Sequence, residues 1–203
     1  MPRLLLATGN KHKLQELKSL LRSLPYDIVS PVDIGIDIYI EETGSNLEEN
    51  AALKAKAMAI ESRLLTLADD SGLEVDALGG APGVLSARYA GENASDADRI
   101  SYLLSQLEGI PWEKRQARFH CVIAIATPEG KVELCSGDCQ GYINLEPKGE
   151  YGFGYDPVFY LPELDKTMAE LPPEIKNQLS HRGRAVARAL SFLLKIKSED
   201  SGC

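Results

Sequence analysis

Apolar and polar positions change rhythm several times along the chain, and each change marks an element. Leu4 to Ala7 is an unbroken apolar run that stops at Thr8-Gly9-Asn10; Leu14, Leu17, Leu20, Leu21 and Leu24 then recur at helical spacing. This predicts a strand, a turn and an amphipathic helix over 13–24. Tyr26 to Ile40 carries β-branched residues broken by Pro31 and Gly35, which predicts one strand, a connection and a second strand. The Ala-, Leu-, Lys- and Glu-rich stretch from Asn46 to Ser62 predicts a long helix, with Ser45 or Asn46 placed to cap it.

Further on, Leu64 to Ala68 is a buried-strand pattern running into Asp69-Asp70-Ser71-Gly72, with Leu73 to Val75 as a continuation before the Gly79 to Gly83 loop. Ser95 to Leu107 predicts a helix, and Ala117–Thr127 and Lys131–Ile143 predict two long paired strands joined at Pro128-Glu129-Gly130. After a glycine-rich segment come a short strand at Val158-Phe159-Tyr160, a helical turn over Thr167–Leu171 and a closing helix over Ala185–Ile196. Strands and helices alternate throughout, with no internal repeat and no Ser/Gly linker. The expected fold is a single α/β domain over 1–203 with an elongated mixed sheet flanked by helices, and a frayed tail at 198–203.

Composition narrows the function classes. A formal charge of −8 disfavours nonspecific binding to nucleic-acid backbone or anionic membrane, yet leaves room for a small polyanion if cations converge locally. The apolar run near the N-terminus is too short for a signal-peptide core, and no stretch approaches the roughly 18 apolar residues of a spanning helix. A cytoplasmic protein with no membrane or nucleic-acid partner is expected. Of Cys121, Cys135, Cys139 and Cys203, only Cys135 and Cys139 are close in sequence, and reduced thiols are the expected state rather than a zinc site.

Several segments could carry chemistry. Thr8-Gly9-Asn10-Lys11-His12-Lys13 joins a strand to a helix start, where exposed N–H groups and lysines suit a phosphate, although the Walker spacing is absent. Read alone, the same segment is equally an ordinary strand-to-helix turn. Asp69 and Asp70 at the end of an apolar run would be costly to hold there without a cation or hydrogen bonds, and hard carboxylate oxygens suit Mg²⁺. Adjacent residues on an extended chain point oppositely, so only one of the pair is expected to face the metal. Glu41-Glu42, after another apolar stretch, could bring a second carboxylate to the same ion, and Lys54 stands apart from the other charges of the following helix, which are expected to be solvated. Phe153-Gly154-Tyr155-Asp156 offers aromatics freed by glycines to stack on a base, with a carboxylate fixed before proline. Lys176 and Ser180-His181-Arg182-Gly183 place cations and an imidazole before the last helix.

In this order, Thr-Gly-Asn-x-x-Lys, Glu-Glu-Thr-Gly, Glu-Asn-Ala-x-x-Lys-Ala, Ala-Asp-Asp-Ser-Gly-Leu, Gly-Ala-Pro-Gly-x-x-Ser-Ala-Arg-Tyr, Phe-Gly-Tyr-Asp-Pro and Ser-His-Arg-Gly resemble the inosine triphosphatase, or Ham1-like, family. The likeness spans Leu5 to about Leu193. It implies two α/β lobes around a nucleotide-binding cleft, a homodimer, and Mg²⁺-dependent hydrolysis of ITP, dITP and XTP to the monophosphate plus pyrophosphate, cleansing the nucleotide pool. By position, it implies that Thr8, Gly9, Asn10, Lys11, His12 and Lys13 hold phosphate. Glu41 and Asp70 would bind metal, Asp70 also accepting the proton, with Asp69 left open as an alternative base. Lys54 and Ser71 would contact phosphates or sugar, and Phe153, Gly154, Tyr155, Asp156, Lys176, His181 and Arg182 would enclose the base. Arg182 or His181, as donors, would favour a 6-keto purine over adenine. Two other readings stay open: a Maf-like pyrophosphatase for other modified or pyrimidine nucleotides, and a non-enzymatic nucleotide- or RNA-binding module.

Overall fold

The computed structural model describes residues 1–38 and 40–200, with side chains through Ile196. Its elements run β1 (Arg3–Leu6), α1 (Lys11–Leu21), β2 (Asp27–Val29), α2 (Leu47–Ser62), β3 (Leu65–Val75), β4 (Pro82–Gly83), α3 (Asp96–Gln106), β5 (Gln116–Ala126), β6 (Val132–Ile143), β7 (Phe159–Leu161), β8 (Lys166–Thr167), α4 (Pro173–Leu179) and α5 (His181–Asp200). The strands form one mixed sheet in the order β2-β1-β3-β5-β6-β7-β8, with β4 paired to β3. β1 is parallel to both β2 and β3, whereas β4 on β3, β7 on β6 and β8 on β7 are antiparallel.

Two compact units divide the chain: Met1–Asp70 with Cys121–Gly137 and Arg182–Cys203, and Ser71–His120 with Asp138–His181. Each has its own apolar cluster. In the first, Leu4, Leu6 and Leu67 from the parallel strands pack with Leu17 and Leu21 of α1 and Ala185, Val186, Ala189 and Leu193 of α5. The leucine spacing that predicted α1 is therefore the face that α1 buries. In the second, Leu73 and Val75 of β3 meet Ile100, Leu103 and Leu107 of α3 with Phe119, Ile143, Val158 and Phe159.

Caps set the helix starts. Asn10 accepts the N–H groups of His12 and Lys13 at 2.9 and 3.1 Å, Asn46 accepts that of Glu49 at 2.8 Å, and Ser95 with Asp98 forms a reciprocal capping box. Three expectations change. The second strand expected within 26–40 is absent among the described residues: Asp33 takes the N–H and hydroxyl of Ser30 and a 3₁₀ turn over Val32–Ile34 ends at Gly35. Helix α4, opened by Pro173, was not expected. Helix α5 starts at His181 rather than Ala185, so Arg182 lies in its first turn and not in a loop. Of the tail expected to fray at 198–203, α5 reaches Asp200 and the last three residues lie outside the described residues.

β3 leaves the acidic pair through Ser71 and Gly72, and Gly72 is fixed by contact: a Cβ there would sit 2.4 Å from the carbonyl oxygen of Gly83 on β4. Ser86 reinforces the same place, donating its hydroxyl to Gly83 O at 2.6 Å and accepting the N–H of Leu73 at 2.8 Å. Gly72→Ala should therefore destabilise the protein by about 1–3 kcal/mol through overpacking against backbone. A fall in urea midpoint at unchanged slope checks this, and an unchanged midpoint would refute it.

Candidate active site

β1 sits between β2 and β3, and the chain moves from β1 to β2 on one side and then through α2 to β3 on the other. The carboxyl end of β1 and the part of β3 just beyond Leu67 thus flank a point where strand order reverses, the usual ligand position in open parallel sheets. Leu6 is registered against Leu67, and the Ala7 N–H donates to Leu67 O at 2.8 Å, which brings the Thr8–Lys13 turn level with Asp69 and Asp70.

The two aspartates have different surroundings, as strand alternation requires. Asp69, 1% exposed, receives Lys13 Nζ at 3.1 Å and Arg182 Nε and Nη2 at 3.2 and 3.1 Å. Arg182, also buried, places Nη1 2.5 Å from Glu16 Oε2. Burial pushes the Asp69 carboxyl up, but Lys13, Arg182 and Lys54 outweigh it and hold the group far below the usual carboxylate range. Asp70 instead receives Lys54 Nζ at 3.3 Å, and the same ammonium lies 2.7 Å from Glu42 Oε1. Here burial wins: the Asp70 carboxyl is raised, with Lys54 and Lys13 opposing and Glu42 and Asp69 adding to the shift. For Lys54, burial acts to lower and the three carboxylates Asp70, Asp69 and Glu42 raise it on balance.

Glu42, not Glu41, therefore reaches Asp70 through Lys54, and Glu41 is exposed. The loop is pinned where Gly44 N–H donates to the buried amide oxygen of Asn50 at 2.8 Å, which ties Glu-Glu-Thr-Gly to Glu-Asn-Ala. Of the Glu41-Glu42 pair, the structure brings Glu42 to Lys54, while Glu41 faces outward. Oδ2 of Asp70 is buried without a hydrogen-bond partner, as is Oδ1 of Asp69. An orphaned carboxylate oxygen beside Glu42 fits a hard divalent cation, which takes one or two carboxylates and leaves its other positions to water and phosphate oxygens. Among the described residues no three His, Cys, Asp or Glu side chains converge to hold a metal by themselves.

In the Thr8–Lys13 turn, Thr8 is half-buried and accepts the N–H of Asn10 at 3.2 Å; Gly9, Asn10, Lys11 and His12 are exposed. The N–H groups of His12 and Lys13, expected to face an anion, are satisfied by the Asn10 side chain.

In the second unit, Ser71 follows Asp70 along β3 and is half-buried. Asp156 Oδ2 accepts the Phe153 N–H at 2.8 Å and pairs with Lys176 Nζ at 2.5 Å, both side chains 4% exposed. The Lys176 ammonium lies 4.9 Å from the centre of the Phe153 ring, a cation–π contact. Gly152 has φ +76, and a Cβ on it would strike Asp156 Oδ2 at 2.1 Å, so this carboxylate sits where only glycine admits it. Phe153 is half-buried with Gly154 beside it, whereas Tyr155 belongs to the core and donates its hydroxyl to Ser86 O at 2.9 Å. Tyr155 is thus a packing residue and not a free stacking surface. His181 is buried and stacked on Phe119, centroids 4.6 Å apart and planes 15° from parallel. The resemblance implied Arg182 at the base; in the structure its guanidinium pairs with Asp69 and Glu16. The sequence reading missed Glu16 and Phe119, because their partners are remote in sequence.

Removing Arg182 leaves two carboxylates short of their partner, so Arg182→Ala should cost about 3–5 kcal/mol, the range for breaking a buried ion pair. A thermal melt that matches the wild type would overturn this placement.

Comparison with known proteins gives a consistent grouping. The model of the Ham1 family matches residues 4–192. The chain is 51% identical over 194 residues to a dITP/XTP pyrophosphatase of Desulforamulus reducens, covering 96% of each chain. It is 48% identical over 195 residues to a dITP/XTP pyrophosphatase of Bacillus subtilis, covering 96% of this chain and 98% of that one. Among solved structures it is similar to a HAM1 protein from Coxiella burnetii, with TM-score 0.87 and 44% identity, covering 96% of this chain and 100% of that one. It is also similar to the Staphylococcus aureus Ham1 protein, with TM-score 0.85 and 43% identity, covering 95% and 98%. With the family match running from β1 into α5 and taking in both aspartates and the Phe153–Asp156 loop, this chain belongs to the Ham1 family.

Proposed function

We propose that the chain is a nucleoside triphosphate pyrophosphohydrolase that converts dITP, XTP and ITP, with water, to the nucleoside monophosphate and pyrophosphate. The observation that carries this reading is the buried, unpartnered oxygen of Asp70 beside Lys54 and Glu42, level with a lysine-bearing turn at a strand-order reversal. Relatives about half identical over nearly their whole length bear the name dITP/XTP pyrophosphatase, which supports the substrate class. The same reading includes a cytoplasmic homodimer.

In this reading the Thr8–Lys13 turn and Lys54 take the phosphates, and Ser71 meets phosphate or sugar. Phe153, Lys176 and His181 meet the purine. Glu42 and Asp70 would hold a divalent cation, Mg²⁺ by their all-oxygen donor set, and the cation would supply charge neutralisation for the departing pyrophosphate. Water attacks the α-phosphorus, the bond from that phosphorus to the α–β bridging oxygen breaks, and the electron pair leaves with pyrophosphate. Asp70 would accept the water proton, its carboxylate held within β3 by Lys54 and the surrounding burial. Asp69 is a poor alternative: Lys13 and Arg182 occupy it and stabilise its charge. Its part is to hold Lys13 and α5 in register.

With dITP or XTP and Mg²⁺, the purified protein should release pyrophosphate and no orthophosphate; failure to release pyrophosphate from either would end this reading, and dUTP as the preferred substrate would favour the Maf-like alternative. Asp70→Asn should lower turnover by at least about 10³-fold with the fold intact, as expected for loss of both a ligand and a base. Glu42→Gln should lower kcat/KM by about 10²-fold and raise the Mg²⁺ concentration needed, whereas Glu41→Gln should stay within about twofold. Equal effects of the two glutamate variants would undo the assignment to Glu42. Chelation should abolish activity and added Mg²⁺ restore it.

A further inference from the structure

The two carboxylates that hold the Phe153–Gly154 peptides come from different places. Asp156 takes the N–H of Phe153 from within the loop itself. The next N–H, of Gly154, donates to Oδ2 of Asp96 at 2.6 Å, and Asp96 is the first residue of α3, 58 positions away in sequence. The other oxygen of Asp96 pairs with Nη2 of Arg99. Arg99 then donates Nη1 to the carbonyls of Ala87 and Ala94 at 2.9 and 2.8 Å. Tyr155, one residue beyond Gly154, donates its hydroxyl to Ser86, next to Ala87. The contacts close a circuit within one unit: from Gly154 to Asp96, to Arg99, to Ala87 and Ser86, and back through Tyr155.

None of these contacts is required to make α3. Its capping box uses Ser95 and Asp98, and Asp98 faces Ser95 rather than the loop. Asp96 could serve the helix merely as an acidic first-turn residue paired with Arg99, yet its other oxygen leaves the helix for the Gly154 peptide. A charge-assisted bond to a backbone N–H fixes a peptide plane more firmly than a neutral one. Two such bonds on consecutive peptides leave the backbone at Phe153 little freedom, and the ring beside Lys176 inherits that restriction.

We propose that Asp96, held by Arg99, is a positioning residue that sets the Phe153–Gly154 peptide and through it the ring that meets the purine. The proposal rests on the pyrophosphohydrolase reading for its kinetic consequence, but not for its structural one. If Phe153 stacks on the base, loosening its backbone weakens binding of substrate and transition state alike, so KM rises while kcat holds.

The test compares Asp96→Ala, Asp96→Asn and Asp98→Ala with the wild-type full chain. Amide exchange of the 150–156 segment is followed by mass spectrometry, alongside thermal melts and steady-state kinetics on dITP. Asp96→Ala should deprotect that segment and raise KM about tenfold, the loss of one charge-assisted bond, with kcat within about threefold. Asp96→Asn, which keeps an acceptor for Gly154, should recover most of both effects. Asp98→Ala should lower the melting temperature through loss of the capping box, yet leave loop protection and KM at wild-type values. The proposal is overturned if Asp96→Ala leaves loop exchange unchanged, or if Asp98→Ala raises KM as much as Asp96→Ala does. A wild-type protein inactive on dITP with the exchange pattern as expected would sink the functional reading and leave the positioning role standing.

Discussion

A carboxylate buried in a strand is tolerated only where cations come to it, and Asp69 has two of them, from opposite ends of the chain. Lys13 arrives from the first turn of α1 and Arg182 from the first turn of α5, and Arg182 extends the network to Glu16 on α1. The cluster of Leu4, Leu6, Leu67, Leu17, Leu21 and the α5 alanines supplies area, but apolar area is not directional and would allow α1 or α5 to slide. Four charges with defined partners do not. The Thr8–Lys13 turn opens α1, so the pairing that orders the interior of this unit also fixes where that turn lies.

The hydrophobic rhythm made much of the fold legible. Helix α1 was readable from its leucines, α2 from its composition and cap, α3 from the stretch Ser95–Leu107, and β5 and β6 from their length and the turn between them. Each of these signals is local, arising within a dozen residues. The misreadings fall where a local signal was outweighed. Pro31 and the β-branched residues around it suggested strands, but Asp33 binding back to Ser30 closed a turn first. Helix α4 has seven residues and begins at a proline, too little sequence for a period to show.

The site was legible as a set of residues and not as a set of contacts. The motifs brought forward Thr8 to Lys13, Lys54, Asp70, Asp156 and Lys176, and the structure gives Lys13, Lys54, Asp70, Asp156 and Lys176 partners. Pairing was another matter: Arg182 and Asp69 are 113 positions apart, and nothing local distinguishes an arginine that faces a base from one that holds a carboxylate. Which of Glu41 and Glu42 meets Lys54 was equally illegible, because Lys54 lies a dozen residues on, in a helix that the Gly44–Asn50 bond ties to the same loop.

The adjacency of Asp69 and Asp70 has a consequence that either residue alone would lack. On an extended strand the two side chains take opposite faces, so each can be buried beside its own cation. Burial pushes both carboxyls in the same direction, yet Lys13 and Arg182 keep Asp69 ionised while Asp70, with Lys54 shared among carboxylates, stays raised. The permanent charge on Asp69 is itself one of the groups raising Asp70. The charge that Lys13 and Arg182 hold on Asp69 thus adds to the upward shift of the carboxyl beside it. Because a strand cannot reverse its alternation, the two environments cannot be exchanged by a change of rotamer; the difference between the two carboxylates is built into the backbone.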